Sequence, residues 1–218
     1  MPESAAKIPV WARACSLVWL AIWMPVYCRI WGAENFLHVC DIAVILTCLG
    51  LLFSNSLLLS SQAMSSILTD LLWDIDAGWR LFTGRPFTGG TNYMWDAHYP
   101  LWARLLSLFH IVWPIILICS LMRVGYNRHG FALQAGIAAG ALIAARFANP
   151  SDNINYAFQD PLFHHSFGVA PLHLAIIWLG LVIVIYLPVH LVLSKLLPRA
   201  DENSGGASSR LASSPPKN

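Results

Sequence analysis

Charge is what this chain has least of. Of 218 residues only 11% are Asp, Glu, Lys or Arg, where a soluble domain carries roughly 25%. With 57% hydrophobic residues, so thin a supply of charge leaves most of the surface to face lipid. The net charge of +2 and the absence of any Lys/Arg cluster outside loops and tail exclude a nucleic-acid footprint. The five cysteines (Cys15, Cys28, Cys40, Cys48 and Cys119) form no CxxC or CxxH pair. Neither a zinc site nor a disulfide framework is indicated, and most of these thiols read as small buried hydrophobes. No metal and no cofactor is expected. A haem between helices needs histidines paired at matching depth, and His173 and His190 lie near opposite ends of one apolar run. No internal repeat is visible, which disfavours a transporter built from repeats.

Long apolar runs are abundant. A spanning helix needs about 20 mostly apolar residues. Six stretches qualify: Trp11–Trp31, Phe36–Leu59, Gln62–Phe82, Leu101–Met122, Gly130–Phe147 and Pro171–Leu197. The expected architecture is an all-α, polytopic membrane bundle. A short segment (1–10) precedes a six-helix domain (11–197), and a disordered tail (198–218) rich in Ser, Pro, Gly and charge follows. The first run resembles a signal peptide, since Lys7 and Arg13 give it a basic start and an apolar stretch follows. Cys28-Arg29-Ile30-Trp31 is a poor cleavage region, so a retained span is expected. With six spans, eight of the thirteen Lys and Arg fall on the side of the termini and five on the other. The positive-inside rule then puts both termini in the cytoplasm of a cell (inner) membrane.

Within these runs stand polar groups that are costly in hydrocarbon. Leu37-His38-Val39-Cys40-Asp41 places an imidazole, a thiol and a carboxylate within four residues. On a helix His38 and Asp41 share a face, so the carboxylate would orient the imidazole. Cys40 points about 100° from Asp41 and about 200° from His38, so a base for its thiol has to come from another span. His110, in the middle of the fourth run and four residues before Pro114, is the candidate. The proline frees the carbonyl of His110 and kinks the helix there, which makes room for water or substrate. A Cys–His pair yields a thiolate that attacks an ester carbonyl to form an acyl-enzyme. The blander reading is a histidine bonded to a neighbouring carbonyl.

The segment His38-Val39-Cys40-Asp41-Ile42-Ala43 resembles the L-H-x-C-D-I-A stretch of the YwaF-like integral membrane family. Ser107-Leu108-Phe109-His110 resembles that family's later membrane histidine. Asn155-Tyr156 is similar to its N-Y loop motif, and Tyr186-Leu187-Pro188 to its ending. The likeness covers roughly residues 36–190. It implies a relation to multi-pass lipid acyltransferases that use a membrane Cys and His, and a more distant one to the androgen-induced-gene lipid hydrolases, which use a Thr and a His. Carried over, Cys40 is the nucleophile and His110 the base, with His38, Asp41, Asn155 and Tyr156 in support. Alignment to the Thr-type hydrolases instead puts His38 at the nucleophile position, so that identity stays open. Membrane lipids are the expected partners.

The remaining features invite plainer readings. Asp70 and Asp74, and Asp76 and Arg80, are i,i+4 pairs that read as solvated charges at the membrane surface, or else as a polar cavity for a headgroup or cation. The aromatic loop 84–100 reads as an interfacial loop or a lid. Gly136 and Gly140 form a GxxxG spacing that suits close packing inside the bundle, or a homo-oligomer face. Two alternatives to an enzyme remain. One is an accessory or sensor protein in which buried polar groups only glue helices. The other is a small transporter using Asp41, His38 and the acidic patch.

Overall fold

The computed structural model describes residues 7–200; most of the tail expected to be disordered lies outside them. The fold is all-helical, and among the described residues no strand forms beyond a single bridge between Tyr126 and Arg199. The helical rods are α1 (Val10–Trp31), α2 (Val39–Phe53), α3 (Ser56–Thr83), α4 (Leu101–Val124), α5 (Gly130–Ala145) and α6 (Ala170–Leu196). Three of them, α1, α4 and α6, are long and apolar enough to cross a membrane, which marks the chain as a membrane protein; α2 and α5 are shorter apolar helices.

The boundary between the second and third apolar runs falls earlier than hydropathy suggests. Ser54 adopts φ 50° and ends α2, and the Asn55 side chain accepts from the Leu58 N–H at 3.0 Å to cap α3. Capping chemistry, not a break in apolar character, makes the turn. The chain therefore doubles back at residues 54–55, and Leu57–Leu59 belong to α3.

α3 is the central rod, packed on α2, α4, α5 and α6. One apolar cluster fills the space around it, built from Leu59, Ala63, Met64, Leu117, Leu121 and Tyr186. A second, aromatic cluster joins α1, α2 and α4 through Trp23, Tyr27, Val44, Phe109 and Trp113. α5 approaches α3 closely at Gly130. A Cβ added at Gly130 would stand 2.6 Å from Ser60 Cβ, so only glycine fits. Gly136 and Gly140 play no such part: both are exposed, and a Cβ at either would meet nothing within 4 Å. The expected internal packing of that stripe is corrected on this point, because α5 meets α3 near its own N-terminus instead.

Neither long helix is uniform. α4 contains a 3-10 turn at Leu106–Leu108, just before His110, and carries Pro114 within it. α6 contains a π-helical segment at Leu181–Tyr186, which carries the phenol of Tyr186 into the core.

Candidate functional site

The N-terminus of α2 is held from outside. The Asn155 side chain accepts from the Val39 N–H at 2.9 Å and donates to the Leu37 carbonyl at 2.7 Å, which clamps both sides of His38. Asn155 and Tyr156 both have positive φ, 52° and 60°, in the short turn that presents this amide. Asparagine tolerates that conformation better than most residues. The Tyr156 carbonyl accepts from Nε2 of buried His173 at 2.9 Å, and His173 Nδ1 accepts from the Phe167 N–H at 3.2 Å. Asn155 is thus a clamp on α2, and Tyr156 contributes its backbone to the turn that holds the clamp.

His38 is extended and precedes the helix, because the 3-10 turn Ala33–Leu37 comes first and α2 starts at Val39. The expected helical face shared by His38 and Asp41 is therefore not formed. Buried Asp41 instead accepts from the Asn35 side chain at 2.5 Å. The Cys40 thiol, partly buried, has Asp41 Oδ1 as its polar neighbour at 3.9 Å, with Asp70 also within electrostatic reach. A nucleophilic thiol draws on basic or positive neighbours; those nearest Cys40 are carboxyl groups.

His110 is buried at 5% exposure, with its ring stacked against Trp73 at 4.5 Å and Phe109 at 4.1 Å. Its Nδ1 lies 2.7 Å from the Ser107 carbonyl. A carbonyl can only accept, so Nδ1 carries the proton, and in a neutral ring Nε2 is the open acceptor. The 3-10 turn at Leu106–Leu108 turns the Ser107 carbonyl toward the ring. His110 lies within electrostatic reach of His38. Along α3, Ser65 Oγ meets the Val39 carbonyl at 3.5 Å and Trp73 meets His110. Positions 65 and 73 are about 12 Å apart along a helix axis, and Asp70 lies between those levels. Among the described residues no hydrogen bond joins Cys40 to His110.

Several groups that sequence reading left aside stand around His110. The Tyr27 hydroxyl and Ser107 Oγ are 2.7 Å apart, and Trp73 Nε1 donates to the Tyr93 hydroxyl at 3.2 Å. Tyr93 comes from the loop after α3, whose position is fixed by Asp76. That carboxylate accepts from the Thr88 N–H at 2.6 Å, the Thr91 N–H at 2.9 Å and the Thr91 hydroxyl at 2.5 Å. The loop is therefore pinned to α3, and Asp76 is a structural anchor. Its expected pairing with Arg80 is absent. Arg80 instead bonds Asn92 and lies over the Trp95 ring at 4.7 Å.

Asp70 departs most from expectation. It is 1% exposed, and among the described residues the Ser66 hydroxyl one turn back is its hydrogen-bonding side-chain neighbour. It is not a solvated surface charge, because α3 runs through the centre of the bundle and Asp70 projects inward. Asp74, half-buried, has one unpartnered oxygen and lies one turn nearer the loop end. No group of three or more His, Cys, Asp or Glu suited to a metal exists among the described residues. Comparison with known proteins finds no family model, no curated protein and no solved structure that matches this chain.

Proposed function

We propose that this protein is a six-pass enzyme of the cell membrane, with cytoplasmic termini, that transfers or hydrolyses the acyl groups of membrane lipids. The observation that carries the reading is the state of His110. Its ring is buried, gripped by two aromatic faces and fixed by the Ser107 carbonyl in the tautomer that leaves Nε2 as a base. Buried polar groups in a membrane domain are costly and mark sites of function.

In this scheme Nε2 of His110 takes the proton of the Cys40 thiol, through a bridging water or a local movement of α2, as Sγ attacks the ester carbonyl. The C–O bond breaks, and the leaving alkoxide receives the proton from His110. A water or a second alcohol then attacks the thioester, again deprotonated by His110, and releases the thiol. In this scheme the aromatic loop pinned by Asp76, whose Tyr93 bonds Trp73 beside His110, limits the access of water.

The test is ester turnover by the purified protein in lipid nanodiscs, with a fluorogenic phospholipid. His110→Ala is expected to lower turnover at least 100-fold, the scale of a lost general base, with Cys40→Ala at least as severe. Turnover that survives both substitutions unchanged would remove the proposal.

A further inference from the structure

A file of buried polar groups runs for about 15 Å beside α3 and is not used by the acyl chemistry. It begins at half-buried Asp74 and continues one turn inward to Asp70, then one turn further to Ser66. These positions are spaced i,i+4 and so share one helix face. Adjacent Ser65 is fully buried and interacts with the phenol of Tyr186, itself 0% exposed. Tyr186 also receives Gln134 Nε2 at 3.5 Å. One turn further along α6, half-buried His190 is 2.7 Å from the Tyr126 hydroxyl. Tyr126 in turn touches Met64 Sδ at 3.9 Å, which places this end about 15 Å along α3 from Asp74. Each end is half-buried and the middle is sealed.

Two further observations say that this file serves something besides helix adhesion. Polar glue between membrane helices should be satisfied, yet among the described residues Oε1 of Gln62 and Oε1 of Gln134 have no donor, and Asp70 has only the Ser66 hydroxyl as a polar neighbour. In addition, Tyr186 is set in place by a π-helical segment, a costly irregularity found mostly at functional sites. Among the described residues no Lys or Arg pairs with Asp70. The groups facing it are Asp74 and Ser66 on its own helix and Cys40 from α2; Asp41 lies beside Cys40, and Trp73 on α3 stacks on His110 of α4 and bonds Tyr93 of the loop. At the far end Arg128 faces His190 and Tyr126.

We propose that this file conducts protons across the membrane, with Asp70 as its obligatory relay. A proton taken up at Asp74 protonates Asp70 and passes to the serine hydroxyls, each of which accepts a proton on oxygen and releases its own. The Tyr186 phenol hands it on to His190, from which it leaves. Only O–H and N–H bonds form and break, and one proton enters for each that leaves. Steps longer than a direct hydrogen bond are of the kind that a bridging water closes. The proposal does not rest on Cys40 or on the acyl chemistry.

The full-length protein in liposomes holding a pH-sensitive dye, with a potassium gradient and valinomycin to set the potential, tests this directly. Proton flux at least 10-fold above protein-free liposomes is expected. Asp70→Asn should return it to background, and Tyr186→Phe, which keeps the ring and its packing, should lower it at least 5-fold. Asp96→Asn, at an exposed loop carboxylate, should leave it unchanged. If Asp70→Asn does not fold, Tyr186→Phe decides alone. Flux no faster than in empty liposomes, or undiminished in the folded variants, overturns the proposal.

Discussion

At His110 the Ser107 carbonyl holds the proton on Nδ1, and that choice decides which nitrogen can act. The ring plane is set by Trp73 on one face. Trp73→Ala removes that face while leaving the imidazole, so turnover should fall about 10-fold through kcat, whereas Trp73→Phe should restore most of it. Steady-state kinetics of the two variants check this. Asp160 gives a separate expectation outside the membrane. Burial works against its charge, yet N–H donors from Phe163, His165 and Leu162 hold its carboxyl low, at about 2. A depressed carboxyl stabilises its loop above the ordinary value near 3.9 and loses that contribution as pH falls through 2. Amide exchange at residues 162–165 should be slow and level at pH 5 and accelerate beyond its intrinsic rate as pH falls from about 4 to 2.

Among the elements, α2 depends on a side chain more than a hundred residues away. Asn155→Ala orphans the Val39 N–H and the Leu37 carbonyl together, and should cost about 2 kcal/mol in thermal unfolding in detergent. The contact between α5 and α3 leaves no room for a methyl at Gly130. Gly130→Ala should cost about 1–3 kcal/mol, against almost nothing for Gly136→Ala. The rods themselves were legible in the sequence, since apolar runs of about 20 residues announce helices by length alone. The reversal at Ser54-Asn55 was less so, because the run is equally apolar on both sides and only the Asn cap marks it. His38 and Asp41 read as a helical pair, but the preceding 3-10 turn was invisible to periodicity. Asp70 read as surface charge because three acids close together look solvated. Its burial follows from α3 being ringed by four other helices, a tertiary fact with no local signal. Tyr27, Trp73 and Tyr93 were hidden among interfacial aromatics, and only their hydroxyl and indole bonds distinguish them.

On the scale of the whole molecule, large apolar side chains stand on the exterior while several polar ones are buried within the apolar core. Trp11, Phe82 and Phe147 stand more than 70% exposed, while Asp70, Gln62 and Gln134 are sealed inside. Lipid accounts for the first group, and polar groups such as the second are costly inside a membrane domain. The account's central claim is that a lipid acyl group passes through Cys40 with His110 as the base. Its most direct measurement is mass spectrometry of the protein after brief incubation with a phospholipid carrying an isotopically labelled acyl chain. A hydroxylamine-sensitive labelled thioester on Cys40, reduced at least 100-fold by His110→Ala, is the predicted result. A protein that never acquires the label, or acquires it equally without His110, would contradict the account.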